Sequence, residues 1–146
     1  MLVTQPAPDF KATAIMPDNS FKDISISDYK GKKVVLFFYP LDFTFVCPTE
    51  LHAFQAALEE FEKRNVMVIG ASCDTPEVHF AWLNTPKDDG GIEGVTYPIL
   101  ADSNRNLSSR LGILDITGES YDEETGDITL EGDNVTYRAT YLIDEE

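Results

Sequence analysis

The sequence predicts an α/β fold with a mainly parallel sheet, because apolar runs that suit buried strands alternate with segments of helical periodicity. Two of these runs, Val34 to Tyr39 and Val66 to Ala71, are rich in β-branched or aromatic residues, as is typical of strands covered on both faces. A chain of 146 residues is the size of one domain. We therefore expect a single domain over residues 1–146.

The first elements follow from local patterns. Residues 1–30 form a polar N-terminal segment with one short alternating stretch at Phe21, Ile24 and Ile26. After the first buried strand, a single helix is predicted over Pro48 to Arg64, because its apolar side chains fall on one face: Leu51, Phe54, Leu58 and Phe61. Asn65 is expected to end this helix in the left-handed conformation.

The second helix is predicted to begin at Asp74 or Thr75, since Pro76 suits the first helical position, and to stop near Asn84. A loop at 86–94 leads to a short strand at 97–101. Ser103 is then expected to cap a short helix that ends at Gly112.

The charge balance of the chain argues against several partners. The 11 basic and 26 acidic residues give a net charge of −15, which repels phosphate backbones, so we expect no nucleic-acid partner. The composition leaves open whether this acidity is an adaptation to salt or simply a soluble surface. No apolar run is long enough to cross a membrane and no secretory signal is visible, so a cytoplasmic location is expected.

An acidic segment precedes the last expected strand, which is predicted over Val135 to Ile143. Residues 115–134 hold eight acidic residues and no basic one. We interpret them as an exposed insertion with a hairpin across Glu123 to Asp127. The alternative is a calcium loop, but Tyr121 stands where the EF-hand pattern needs an acid.

Cys47 is the strongest candidate for chemistry. It lies just after a predicted central strand and directly before Pro48, so it is expected within one turn of a helix start. Backbone N–H groups and the helix dipole favour an anionic sulfur at that position. Open α/β sheets also place their sites at the carboxyl ends of strands.

The redox pattern C-x-x-C is excluded, because Glu50 occupies the position of the second cysteine. A single thiolate at Cys47, with the hydroxyl of Thr44 three residues before it, remains. The other cysteine, Cys73, is interpreted either as a small packed residue or as a resolving thiol. His52 and His79 are too few for a catalytic zinc site, and His79 is expected to serve packing or capping.

The segment 40–50 resembles the P-x-x-x-T-x-x-C signature of the peroxiredoxins, and its F-T-F-V-C-P-T-E run is similar to the typical two-cysteine subgroup, which includes the peroxidase component of alkyl hydroperoxide reductase. The likeness extends to the stretches 79–86, 97–102 and 137–140. It covers nearly the whole chain.

The resemblance implies a thioredoxin-like fold, with a central mixed sheet flanked by helices on both faces. It also implies a set of site residues with separate roles: Cys47 as the peroxidatic nucleophile, Thr44 as the hydroxyl that positions the peroxide, Pro40 as a shield over the thiolate, Arg138 as the cation beside it, and Glu50 as the acid that orients the arginine. No cofactor and no metal are implied.

The implied activity is reduction of hydrogen peroxide and small organic hydroperoxides through a sulfenic acid on Cys47. The electron donor would be a thioredoxin-like protein or another disulfide reductase, and the full-length protein would be a homo-oligomer. Measured against the family, the final strand, final helix and resolving-cysteine tail are expected to be missing. The alternative function is therefore a catalytically weak thioredoxin-fold module for binding or assembly.

Overall fold

The computed structural model describes residues 3–145. Its strands in chain order are β1 (Lys11–Ile15), β2 (Phe21–Ser25), β3 (Lys33–Phe38), β4 (Val66–Ser72), β5 (Ile99–Ala101), β6 (Gly118–Tyr121), β7 (Ile128–Glu131) and β8 (Ala139–Ile143). Its α-helices are α1 (Cys47–Ala56), α2 (Leu58–Glu62), α3 (Pro76–Leu83) and α4 (Asn106–Leu111). Two short 3-10 helices lie at Ile26–Tyr29 and Lys87–Asp89. Within the described residues, no helix combines the length and the apolar composition that crossing a bilayer demands.

Six strands form one mixed sheet in the order β2-β1-β5-β4-β3-β8. The pairs β3–β4 and β4–β5 are parallel, whereas β1–β2, β1–β5 and β3–β8 are antiparallel. The mixed sheet is confirmed, and the expectation of a mainly parallel sheet was wrong. Strand and helix alternation reports only the β3–β5 region, because the antiparallel neighbours come from distant parts of the chain.

The N-terminal segment contains a strand that the sequence analysis missed. β1 and β2 form a hairpin whose turn is closed by Met16 and Ser20, with Asn19 at φ 65°. The alternating stretch beginning at Phe21 corresponds to β2. β1 gives a weak signal because two of its five residues are alanine, which is depleted in strands.

The single helix predicted from Pro48 to Arg64 is divided into α1 and α2 at Ala57, whose backbone angles are φ −91° and ψ −2°. Phe54, Leu58 and Phe61 still pack against the same core across the break, so the apolar periodicity does not reveal it. Asn65 has φ 57°, which confirms the expected left-handed ending.

Helix α4 is capped by a different residue from the one predicted. The carboxylate of Asp102 accepts hydrogen bonds from the backbone N–H groups of Leu107 and Ser108 at 3.0 and 2.7 Å. The hydroxyl of Ser103 instead donates to the carbonyl oxygen of Asp74. Residue type alone favoured the serine, but the left-handed Arg105 turns the chain so that Asp102 faces the first helical turn.

The sheet has a core on each face, as the mixed-sheet prediction with flanking helices requires. One core contains Val35, Phe37 and Tyr39 of β3 and its extension, together with side chains of α1 to α3. The other contains Val34 and Leu36 with residues of α4 and the N-terminal segment. Alternate residues of a strand point to opposite faces, so one apolar run serves both cores.

Outside the main sheet, β6 and β7 form an antiparallel two-stranded ribbon, and the hairpin expected in the acidic segment is present. All of its residues from Glu119 to Glu131 are exposed. The last strand is shorter than the predicted 135–143, because only β8 pairs with β3, while Thr136 makes an isolated bridge to Leu114.

Candidate active site

Cys47 is the first residue of α1 and its side chain is completely buried. Val46 precedes the helix and Pro48 follows at its second position, so the predicted location at a helix start is confirmed. Proline is tolerated there because the first N–H groups of a helix have no intrahelical partner. The sulfur therefore lies at the positive end of the helix dipole.

The guanidinium of Arg138 contacts this sulfur. Its Nη2 and Nη1 atoms lie 3.5 and 3.6 Å from Sγ of Cys47. Arg138 immediately precedes β8, and Ala139 pairs with Phe38, so the arginine is brought to the carboxyl end of β3 by the antiparallel pairing. The arrangement stabilises a thiolate, because a cation and a helix N-terminus meet at one sulfur.

Glu50 completes a line of three charged or chargeable groups. Its Oε2 atom accepts a hydrogen bond from Nη1 of Arg138, and the side chains of Glu50 and Arg138 are 38% and 40% exposed. Glu50 lies three residues after Cys47 on α1, which places both on one side of the helix. One guanidinium thus contacts the sulfur and the carboxylate together.

Thr44 lies in the loop between β3 and α1, three residues before Cys47. Its hydroxyl donates to the carbonyl oxygen of Leu41 at 3.2 Å. In this conformation the hydroxyl proton is directed at the loop backbone and not at the sulfur. Pro40 follows the β3 extension directly and is half-buried.

The same loop has an unusual backbone and exposed apolar side chains. Phe43 adopts φ 54°, a rare conformation for an aromatic residue, and its ring lies 6.0 Å from that of Trp82. Phe45 is fully exposed. Strained backbone of this kind is found at functional sites where the surroundings hold it in place.

Three buried polar groups hold the loop from below, and the sequence analysis missed them as a group. Asp42 accepts a hydrogen bond from the hydroxyl of Tyr39 at 2.7 Å, and its other oxygen lies 2.6 Å from Nδ1 of His79. Nε2 of His79 lies 3.2 Å from the carbonyl oxygen of Leu100. His79 is thus buried as expected, but it pairs with the loop and caps no helix.

Asp74 adds a second attachment. Its carboxylate accepts a hydrogen bond from the backbone N–H of Asp42 at 2.7 Å. Burial raises the pKa of Asp74, while this hydrogen bond opposes the rise. Burial also raises the pKa of Tyr39, and the nearby Asp42 carboxylate adds to the effect. No single-residue pattern could have revealed this cluster, because its members come from three separate segments.

Cys73 lies apart from this site. Its sulfur is 3.6 Å from Oγ of Ser108, and burial raises the pKa of its thiol. These are the surroundings of a packed cysteine, the first of the two interpretations of this residue. Within residues 3–145, no group of three or more His, Cys, Asp or Glu side chains is placed to hold a metal ion.

The fold and the site together define a class: thioredoxin-fold proteins built around one cysteine at a helix N-terminus beside an arginine. The profile of the AhpC/TSA family matches residues 3–146. The chain belongs to the AhpC/TSA family.

Relatives named as peroxiredoxins match most of the chain. Peroxiredoxin-1 of Gekko japonicus is 49% identical over 140 residues, which are 96% of this chain and 63% of the relative. Peroxiredoxin-2 of Bos taurus is 47% identical over 142 residues, which are 97% of this chain and 63% of the relative. The chain therefore spans a little under two thirds of the length of these curated relatives.

Solved structures show the same fold. The reduced 2-Cys peroxiredoxin of Plasmodium vivax superposes with a TM-score of 0.82 at 39% identity, over 97% of this chain and 77% of that one. AhpC of Enterococcus faecalis superposes with a TM-score of 0.75 at 34% identity, over 95% of this chain and 72% of that one. The thioredoxin-like fold that the resemblance implied is confirmed.

Proposed function

We propose that this chain carries the active site of a thiol-dependent peroxidase that reduces hydrogen peroxide and small organic hydroperoxides. The observation that carries the proposal is the contact of the Arg138 guanidinium, at 3.5 and 3.6 Å, with a cysteine sulfur at a helix N-terminus. A thiolate is the form of cysteine that attacks peroxide oxygen. Family membership and the names of the relatives support the same activity.

In the proposed reaction the Cys47 thiolate attacks one peroxide oxygen, the O–O bond breaks, and the leaving oxygen takes a proton to become water or an alcohol. Cys47 is left as a sulfenic acid. Negative charge develops on the leaving oxygen, so donors already in place lower the barrier. Arg138 is one such donor, and Glu50 orients it.

Thr44 and Pro40 have positioning roles in this proposal. The Thr44 hydroxyl turns from the Leu41 carbonyl to hold the peroxide in line with the sulfur, which is the arrangement that a displacement requires. Pro40 shields the thiolate from water. Both residues lie in the loop that the buried Asp42 and His79 side chains hold.

The sulfenic acid is then reduced by a thioredoxin-like protein or another disulfide reductase. Its first thiol condenses with the sulfenic acid to a mixed disulfide and releases water, and its second thiol displaces Cys47 and leaves with the donor disulfide. Because Cys47 is completely buried, the first turn of α1 must open before a protein thiol can reach it. We also propose that the functional protein is a homo-oligomer.

Stopped-flow mixing with hydrogen peroxide tests the activity. The parent protein should consume one equivalent rapidly and then form a dimedone adduct at Cys47. Cys47→Ser should abolish both signals, and Cys73→Ser, the matched control at the other cysteine, should leave both. A Cys47→Ser protein that consumes peroxide at the parent rate would contradict the proposal, and a parent without the adduct would favour a binding or assembly module instead.

A further inference from the structure

The ribbon, defined as β6, β7 and the turn between them, has one apolar face. Tyr121 pairs with Ile128 and Glu119 with Leu130, and these alternate positions share a side of the ribbon. Tyr121, Ile128 and Leu130 are 64%, 60% and 47% exposed. A two-stranded ribbon is marginally stable alone in water, so a partner that covers this face stabilises it.

The charge of the ribbon selects the kind of partner. The eight acidic residues of segment 115–134 are accompanied by no lysine or arginine. A second copy of the ribbon would bring like charges together, and nucleic acids and anionic lipid surfaces carry the same sign of charge. The complementary surface is a basic polypeptide with apolar side chains among its lysines or arginines.

The base of the ribbon is joined to the active-site edge of the sheet. Leu114 bridges to Thr136, and the hydroxyl of Thr136 donates to the carbonyl oxygen of Tyr39 at the end of β3. Arg138, which contacts the Cys47 sulfur, follows Thr136 by two residues. A protein bound to the ribbon is therefore held at the edge where Cys47 lies.

We propose that the apolar face of the ribbon is the docking surface for the electron donor, a dithiol protein with a basic, partly apolar surface. This inference rests on the proposed function. The bound donor supplies the two thiols of the reductive step: the first forms the mixed disulfide with Cys47 as water leaves, and the second completes the two-electron reduction. Docking raises the local concentration of the donor beside the sulfenic acid and leaves the oxidative step unchanged.

Two synthetic peptides serve as probes. Each carries a Cys-Gly-Pro-Cys dithiol followed by leucines that alternate with lysines in one peptide and with glutamates in the other. The measured quantity is the second-order rate constant for reduction of peroxide-generated Cys47 sulfenic acid, and dithiothreitol is the uncharged reference. The parent should react about tenfold or more faster with the lysine peptide than with the glutamate peptide, and the ratio should fall as salt is added.

Two variants of the whole chain locate the effect. Tyr121→Ser combined with Ile128→Thr should slow the lysine peptide about tenfold, with unchanged rates for peroxide and dithiothreitol. Glu119→Gln combined with Glu131→Gln, which keeps the apolar face, should slow it severalfold. The matched control, Glu62→Gln with Glu77→Gln, removes the same charge from exposed positions on other elements and should have little effect.

The inference is overturned if the two peptides react equally with the parent, if the apolar-face variant keeps the parent rate, or if the control charges matter as much as those of the ribbon. Loss of peroxide consumption by the parent is a different result, because it would remove the proposed function itself. Urea unfolding of each variant shows whether the main sheet is intact, and the charge variant keeps the test decisive if the apolar-face variant unfolds.

Discussion

Arg138 stands 91 residues after Cys47 in the chain, yet its guanidinium contacts both the sulfur and Glu50. Arg138→Ala should lower the rate of Cys47 oxidation by about a hundredfold, as loss of a donor that meets developing charge does elsewhere. Arg138→Lys should recover only part of the loss, because a lysine cannot present two N–H groups to sulfur and carboxylate at once. Stopped-flow mixing with peroxide measures both variants.

Arg110 offers the matched control for this experiment. It is an exposed arginine whose guanidinium donates to the backbone carbonyl of Asp9, away from the candidate site. Arg110→Ala should react with peroxide at the parent rate. Equal rates for the parent and Arg138→Ala would show that the contact contributes nothing to the chemistry.

Cys73 gives a prediction with a defined pH dependence. Burial raises the pKa of its thiol, so the folded protein holds this proton more tightly than the unfolded chain does. The resulting stability is present below the unfolded thiol's pKa of about 8.5 and is lost as the pH rises through the folded value. In urea unfolding, the stability difference between the parent and Cys73→Ala should therefore shrink from pH 7 to pH 10. A difference that grows over this range would contradict the assignment.

At the scale of single elements, α4 begins under the control of a residue four positions before its first helical residue. Asp102 is buried and its carboxylate receives the backbone N–H groups of Leu107 and Ser108 and the Ser108 hydroxyl. Asp102→Ala should lower the free energy of unfolding by about 2 to 3 kcal/mol, because three buried donors lose their acceptor. Ser103→Ala, at the cap that residue type favours, should cost about 1 kcal/mol or less. Urea unfolding of the two variants distinguishes the caps.

The connection from β3 to α1 depends on one buried carboxylate. Asp42→Ala should destabilise the protein by about 3 kcal/mol, because it leaves His79 and the Tyr39 hydroxyl without their buried partner. It should also slow peroxide reduction, since the same loop carries Thr44. Asp23→Ala removes an exposed ion pair with Lys11 at 3.6 Å and should cost at most about 1 kcal/mol. Similar losses for the two variants would show that burial does not matter here.

At the scale of the whole molecule, the ribbon is separate from both cores of the main sheet. Thr117 and Gly132 are adjacent at its base, where the Thr117 N–H donates to the Glu131 carbonyl and Gly132 has φ 107°. Replacing residues 118–131 by Asn-Gly should therefore change the free energy of unfolding by no more than about 1 kcal/mol, because these residues are almost entirely exposed. Thermal unfolding with the peroxide assay checks this, and a large loss of stability would place the ribbon in the cooperative core.

Peroxide reduction by the shortened chain should remain at the parent rate, since Cys47, Arg138 and Glu50 belong to α1 and the segment before β8. Reduction by the lysine dithiol peptide should slow as it does in the apolar-face variant. The two readouts therefore separate the site from the surface that we assign to the donor.

Much of the fold was predictable because its signals are local. The apolar runs of β3 and β4 and the proline at the start of α3 depend only on neighbouring residues, and all three elements lie close to where they were predicted. β1 and the break at Ala57 were missed, because small side chains and a continuous apolar face carry no local warning.

The sequence by itself determined which cysteine begins a helix, since Pro48 and the preceding strand lie within a few residues of it. It also determined the likeness that pointed to Arg138 and Glu50. Only the tertiary structure decided that this arginine meets the sulfur, that Asp42 and His79 form a buried pair, and that the Thr44 hydroxyl bonds to the backbone of its own loop. The reason is physical: strand and helix starts depend on adjacent residues, whereas these contacts depend on how β3 pairs with β8 and how α3 packs on the sheet.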